Sequence, residues 1–203
     1  MSFWDSMIFF TADLHLHHTN IIKYCQRPFA SVDEMDSVLI NNWNVVVTPE
    51  DSVWVLGDFS MSGDKIFLNR TLARLNGTKF LVSGNHDSSA CKNSDQWHGV
   101  YTLTHVTEAH QIIVLCHYAM RVWYKSHYGS YHLYGHSHGN LPEENNLSFD
   151  VGVDSWGYTP VSFDIVTKKM LDKKDALKPG TKGTDLLRQN QDRNTKYLLK
   201  GRP

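Results

Sequence analysis

The chain has 203 residues, of which 41% are hydrophobic and 20% are charged. These proportions are typical of a single globular domain and exclude a disordered chain, a fibre and a coiled coil. No stretch approaches the ~18 consecutive apolar residues of a membrane-spanning helix, and the first residues lack the basic start of a signal peptide. The 3 cysteines form no Cys-x-x-Cys pair, which predicts a reducing, cytoplasmic environment and no disulfide framework.

The formal net charge of −1 conceals an uneven distribution. Residues 165–203 contain 11 Lys and Arg but only 4 Asp, whereas residues 1–164 contain 9 basic and 17 acidic residues. We therefore predict a domain over residues 1–166 and a basic, partly helical extension over residues 167–203. The extension, packed on the domain or trailing from it, is either a solvated tail or peripheral helix over Asp185–Lys200, or a basic arm that contacts an acidic partner such as nucleic acid.

Strand and helix patterns alternate along the first half of the chain and give way to strands later. In chain order, the hydrophobic patterns predict a strand over Ser6–Phe10, helices over Asn20–Tyr24 and Val32–Trp43, a strand over Val53–Leu56, a helix over Asp64–Leu75 and a strand over Lys79–Val82. Further strands are predicted over Tyr101–Thr107, Gln111–Cys116, Tyr131–Tyr134, Phe149–Val153 and Val161–Val166. This order favours an α/β domain with mixed sheets and helices on their faces.

Polar clusters follow five of these strands. In chain order they are Asp13 with His15, Asp58, the run Asn85-His86-Asp87, His117, and His136 with His138. Because ligands bind at the carboxyl ends of strands in α/β sheets, we expect the clusters to converge. Their carboxylate, amide and imidazole donors are too many for one tetrahedral ion and fit two divalent cations that share a carboxylate. Mn²⁺ is our first choice, and Fe, Zn or Ni also suit these donors.

The ordered series Asp13-x-His15, Gly57-Asp58, Gly84-Asn85-His86-Asp87, His117 and Gly135-His136-x-His138 resembles the calcineurin-like metallophosphoesterase superfamily. The runs that follow Asp13 and Val151 resemble its small bacterial and phage-type branch, which implies the cytoplasm, or the host cytoplasm for a phage protein. The resemblance covers residues 7–164. It implies a sandwich of two mixed β-sheets flanked by helices, in the order α/β/β/α.

The resemblance also implies a role for each residue of the series. The first metal ion would be bound by Asp13, His15 and His138, and the second by Asn85, His117 and His136. Asp58 would bridge both ions, and a hydroxide between them would attack phosphorus. His86 would protonate the leaving oxygen, and Asp87 would orient His86. The candidates for binding the substrate phosphate are His18, Arg27, Asn85 and His86.

The function predicted from the sequence is hydrolysis of phosphate esters. Phosphodiesters, such as nucleotides or nucleic-acid ends, are favoured because the chain is too short to carry a large cap domain. A phosphomonoesterase acting on nucleotides or phosphoproteins is the first alternative, and a metal-binding interaction module without turnover is the second. Gly135–Gly139 also fits the serine-hydrolase pattern Gly-x-Ser-x-Gly, but no histidine follows His138 to complete that triad. We expect His132, which matches no motif, to lie on the surface.

Overall fold

A computed structural model describes residues 6–177. The strands in that range are β1 (Ile8–Thr11), β2 (Ser52–Val55), β3 (Thr78–Val82), β4 (Gly99–Tyr101), β5 (Leu103–Glu108), β6 (Gln111–Cys116), β7 (Tyr131–Tyr134), β8 (Ser148–Asp150) and β9 (Val161–Ser162). The α-helices are α1 (Thr19–Tyr24), α2 (Val32–Val46), α3 (Lys65–Arg74), α4 (Ser89–Lys92) and α5 (Phe163–Ala176). Most of the predicted elements are therefore present, with shifts of a few residues at their ends.

The strands form two mixed sheets. The first has the order β4-β3-β2-β1-β9, in which β1 to β4 are parallel and β9 is antiparallel to β1. The second has the order β5-β6-β7-β8, in which β5 and β6 form an antiparallel hairpin and β6, β7 and β8 are parallel. In each sheet the parallel strands therefore end at one common edge.

Alternating residues of the first sheet face two different hydrophobic cores. Phe9 and Val53 pack into a core with helices α1, α2 and α3, whereas Phe10 and Trp54 pack into a core shared with the second sheet. This period of two follows from the strand, in which successive side chains point to opposite faces. The predicted fold class, an α/β sandwich of two mixed sheets flanked by helices, is confirmed.

The helices begin at the caps that the sequence provides. Ser31 accepts a hydrogen bond from the Glu34 backbone N–H at the start of α2. The Asp64 carboxylate accepts from the N–H of Ile66 and Phe67 at the start of α3. These caps satisfy backbone donors that have no partner inside the helix.

The end of the described chain differs from the prediction. The strand predicted over Val161–Val166 ends at Ser162, whose hydroxyl accepts from the Ile165 N–H and starts α5. Helix α5 then runs across the predicted domain boundary at residue 166, and Met170 is buried in the core between the sheets. The start of the predicted basic extension is thus helical and packs on the sheets, and its residues 178–203 lie outside the described part. No helix within residues 6–177 is long and apolar enough to cross a membrane.

Candidate metal centre

The loops that follow β1 and β2 continue the parallel pairing of these strands beyond their ends. The Asp13 N–H donates to the Gly57 carbonyl at 3.0 Å, and the His15 N–H donates to the Asp58 carbonyl at 2.9 Å. The Asp13 carboxylate in turn accepts from the His136 N–H at 2.8 Å, which ties in the loop after β7. Three loops far apart in sequence are therefore held together at one edge, as the sequence predicted.

Five of the predicted metal ligands have a left-handed backbone. Their φ angles are positive: 56° for Asp13, 51° for His15, 54° for Asp58, 67° for His136 and 47° for His138. Residues other than glycine seldom adopt this region, and such strain, of order 1–3 kcal/mol for each residue, concentrates at functional sites. The left-handed turns are where these side chains leave the strand ends.

The predicted ligands form two clusters. Asp13, His15 and His138 place one ligand atom each within 4.8 Å of one another, and so do Asp58, His117 and His136. Each set has donors that suit a divalent transition metal. We call the first set the inner cluster, because Asp13 and His15 are buried, and the second the outer cluster, because His136 is exposed.

Asp58, a member of the outer cluster, also lies close to the inner cluster. Its Oδ2 atom is 3.5 Å from His15 Nε2 in the inner cluster and 3.4 Å from His117 Nε2 in the outer cluster. His117 Nε2 is also 3.1 Å from the Asn85 side-chain oxygen, which places Asn85 beside the outer cluster. The Asp58 carboxylate is therefore within reach of donors from both clusters.

Three of the imidazoles have their Nδ1 atoms engaged away from the clusters. His15 Nδ1 is 3.3 Å from His18 Nδ1, His117 Nδ1 is 2.7 Å from the Leu56 carbonyl, and His138 Nδ1 is 2.7 Å from Asp154. Metal-binding histidines use one ring nitrogen for the ion and the other for such an outer partner. In each of the three, Nε2 is the nitrogen left for a ligand.

His15 provides a direct test of whether a metal ion fits. Its Nε2 atom is fully buried, yet it has no hydrogen-bond partner among the described residues. A buried polar nitrogen without a partner is costly, because the group has lost its water and gained nothing in return. A cation held by Asp13, His15 and His138 would satisfy that atom, so the residues fit a metal site.

The protonation states of the buried groups follow from their surroundings. Burial raises the pKa of Asp13 to about 7. Burial lowers the pKa of His15 to about 3, against the attraction of Asp58. Burial also opposes ionisation of Asp58, but the hydrogen bond and charge of His117 outweigh it and lower the pKa of Asp58 to about 2. His15 as a neutral imidazole and Asp58 as a carboxylate are the forms that bind metals.

The rim of the site carries three further side chains. His86 is exposed, and its ring centroid lies 5.4 Å from that of His15. The backbone N–H of His86 donates to Asp58 Oδ1 at 2.8 Å. His18 is partly buried beside His15. Tyr118, which the sequence analysis missed, donates its hydroxyl to Asn85 at 3.3 Å. Its position next to His117 in the chain was the available signal.

Asp87 has a different role from the one expected. Its carboxylate accepts from the backbone N–H groups of Asp58, Phe59 and Gly84 at 2.8 to 3.0 Å. These bonds and a contact with the Cys91 thiol surround the buried carboxylate, and none of them is to the His86 imidazole. Asp87 therefore holds the loops after β2 and β3 together and does not orient His86.

Arg27 was expected to bind phosphate, and the structure contradicts this. The side chain is buried, and it donates to the Asp13 and Leu14 carbonyls and twice to the Asp154 carboxylate. A guanidinium held in this way has no pair of N–H donors left to bind a substrate phosphate. Asp154 had no predicted role, although it lies in the run after Val151 that resembles the phage-type branch.

His132 and Ser137 have partners that differ from what their sequence patterns suggest. His132, which was expected at the surface, is fully buried. Its Nδ1 atom lies 3.1 Å from the Val114 carbonyl, and its Nε2 atom accepts a hydrogen bond from the Met120 backbone N–H, so both ring nitrogens have partners there. Trp123 packs against it as a core residue. Ser137, the serine of the hydrolase-like pattern, donates to Asp150 and not to a histidine.

Comparisons with known proteins identify relatives but no activity. No protein-family model matches the chain. The Gene 66 protein of Mycobacterium phage L5 is 28% identical over 185 residues, which cover 75% of this chain and 88% of that protein. Among solved structures, a protein of unknown function from Aquifex aeolicus, AQ665, has a TM-score of 0.69 at 24% identity, covering 81% of this chain and all of the other. That likeness shows the shared fold.

A weaker structural likeness is to Yfce, a phosphoesterase from E. coli, with a TM-score of 0.39 at 16% identity over 72% of this chain and 78% of that chain. At that score nothing about function follows. The uncharacterized protein MJ1445 of Methanocaldococcus jannaschii is 34% identical to this chain over 170 residues, which cover 79% of this chain and 89% of the relative. The chain belongs to the same protein family as MJ1445.

Proposed function

We propose that the chain is a metal-dependent phosphoesterase with two divalent cations, a member of the calcineurin-like metallophosphoesterase superfamily. One observation carries the proposal: Asp58 Oδ2 lies within 3.5 Å of an imidazole nitrogen from each cluster, His15 Nε2 and His117 Nε2. A carboxylate between two sets of nitrogen and oxygen donors is the arrangement of a shared ligand in a two-metal site. The strained turns that hold these ligands support the same conclusion.

The assignment of ligands follows the two clusters. Asp13, His15 and His138 would hold the first cation, Asn85, His117 and His136 the second, and Asp58 both. Two divalent cations would supply Lewis-acid stabilisation of the phosphate oxygens and lower the pKa of a water. Manganese is the proposed metal, and reconstitution with Fe, Zn or Ni in parallel tests that choice.

His86 is the proposed general acid. Its exposed ring stands at the rim, and its backbone is tied to Asp58, so the imidazole is positioned without being used as a ligand. An imidazole there could contact the phosphate and donate a proton to the leaving oxygen, a contribution of roughly 10²–10⁴ in rate. His18, beside His15, is proposed as a second contact to the phosphate.

The open side of the site favours phosphodiesters. The outer cluster reaches solvent through His136, and Asn85, His86 and Tyr118 beside it are exposed. A diester carries a group on both sides of phosphorus and therefore needs such an open rim, whereas an enclosed site would select a monoester. Nucleotides and nucleic-acid ends are the proposed substrates.

The test is hydrolysis of bis-p-nitrophenyl phosphate and p-nitrophenyl phosphate by protein stripped of metal and then supplied with Mn²⁺. We expect turnover only with metal, faster on the diester, and loss of turnover in Asp58→Asn. Faster turnover of the monoester would replace the diesterase with a phosphomonoesterase. If the protein binds two ions but hydrolyses neither of these compounds nor any nucleotide ester, the metal-binding interaction module without turnover would be favoured.

A further inference from the structure

A buried ion pair lies behind the inner cluster. Arg27 Nε donates to Asp154 Oδ1 at 2.8 Å, and its Nη2 donates to Asp154 Oδ2 at 2.8 Å. Both side chains are almost fully buried, at 0% and 8% exposure. A buried ion pair is weak evidence for stability, because the loss of hydration of two charges offsets their attraction. Its presence therefore calls for another explanation.

Arg27 also binds the backbone that carries two of the inner ligands. Its Nη2 donates to the Asp13 carbonyl at 2.7 Å, and its Nη1 donates to the Leu14 carbonyl at 2.9 Å. These carbonyls belong to the left-handed turn that contains Asp13 and His15. The guanidinium thus holds a strained segment in the conformation that brings both side chains to the cluster.

Asp154 binds the third inner ligand. Its Oδ2 atom, which accepts from Arg27, also lies 2.7 Å from His138 Nδ1. A carboxylate at Nδ1 favours the proton on that nitrogen, so that Nε2 has its lone pair free. In the outer cluster the Leu56 carbonyl, 2.7 Å from His117 Nδ1, takes the corresponding place, so His117 does not depend on Asp154.

We propose that Arg27 and Asp154 are positioning residues that build the inner cation site and not the outer one. Arg27 fixes the turn that carries Asp13 and His15, and Asp154 selects the nitrogen with which His138 binds the cation. The inference rests on the proposed metal centre. It predicts that the two sites respond differently when the pair is changed.

The main test is the affinity of each site for Mn²⁺, measured by calorimetric titration of metal-free protein. His136→Gln, which removes an outer ligand, identifies the signal of the inner site. We expect Asp154→Asn to weaken the inner site by roughly 10–100-fold, the usual effect of losing such an outer partner, and to leave the outer site unchanged. Arg27→Lys, which keeps the charge but not the two-pronged contact, should also weaken the inner site.

Asp51→Asn is the matched control. Asp51 is a buried carboxylate that accepts from the Met7 and Thr48 N–H groups at 2.7 Å, before β2, whereas Asp58 follows that strand. The Asp51→Asn substitution should lower thermal stability without changing the Mn²⁺ affinity of either site. Equal weakening of both sites by Asp154→Asn, no weakening by it, or the same weakening by Asp51→Asn would overturn the inference.

A second measurement does not need bound metal or a folded variant. In the ¹⁵N spectrum of histidine-labelled, metal-free wild-type protein at alkaline pH, His138 should carry its proton on Nδ1. Protonation on Nε2 would overturn the proposed role of Asp154. Wild-type protein that binds no Mn²⁺ would refute the proposed function, while this spectrum would still decide whether Asp154 sets the protonated nitrogen of His138.

Discussion

Replacement of Gly84 by alanine tests whether Asp58 is held as closely as the metal centre requires. A Cβ atom at Gly84 would lie 2.6 Å from the Asp58 amide nitrogen and 2.9 Å from its carboxyl carbon, and would meet its Oδ1 atom as well. The backbone cannot easily separate, because Gly84 and Asp58 both donate their N–H groups to the same oxygen of Asp87. Relieving these contacts therefore requires Asp58 to shift as a whole, backbone and carboxylate together.

The size of the effect follows from these contacts. Adding a methyl group to a closely packed site costs about 1–3 kcal/mol. For a protein of this size, each kcal/mol lowers the melting temperature by about 2–4 °C, so Gly84→Ala should melt about 2–12 °C below the wild type. Movement of Asp58 should also break its hydrogen bond with the His86 N–H and weaken Mn²⁺ binding.

The assay is thermal unfolding of metal-free protein, followed by measurement of bound Mn²⁺ after reconstitution. Gly63→Ala is the control, because a Cβ there has no atom within 4 Å, and it should leave both properties near those of the wild type. A Gly84→Ala protein with wild-type melting temperature and two bound ions would refute the reasoning. It would mean that the loop after β3 adjusts without disturbing Asp58.

Three further predictions concern single side chains. His86→Ala should retain both metal ions by elemental analysis and lose roughly 10²–10⁴ in turnover of a phosphodiester; unchanged turnover would exclude His86 as the general acid. Asp58→Ala should lose at least one ion, and full occupancy would contradict a shared carboxylate. Burial raises the pKa of Asp36 to about 6, against its hydrogen bond from the His17 N–H. Folded Asp36 therefore holds its proton more tightly than unfolded Asp36, and its ionisation lowers stability as the pH rises from about 4 to about 7. Asp36→Asn should remove that loss, so denaturant titrations across this range should show the variant gaining stability relative to wild type at the higher pH, and a constant difference would refute the assignment.

The polar clusters that converge in the structure could be located from the sequence because each one follows a strand. Asp13, Asp58 and His117 come directly after apolar runs of strand length, and parallel strands bring their carboxyl ends to one edge. The unbroken apolar runs of β1 and β2 likewise indicated strands buried on both faces. These features are local in the sequence, so they could be recognised without knowing which segments meet.

The residues behind the ligands could not be identified in that way. Arg27 and Asp154 are 127 positions apart, and Asp87 contacts Asp58 from 29 positions away. The residues next to Arg27 in the sequence do not reveal whether its side chain is exposed and binds phosphate or is buried in an ion pair. His132 was expected at the surface for the same reason, since its buried partners come from other strands and loops.

The sequence by itself thus determined the elements, the α/β class and the set of donors that converge at the strand ends, because hydrophobic period and residue type are properties of short segments. Tertiary structure decided which nitrogen of His15, His117 and His138 faces the cluster, how closely Asp58 approaches both clusters, and which buried groups hold the loops. Those properties depend on distances and burial between segments far apart in the chain, and hydrogen bonding is sensitive to tenths of an ångström.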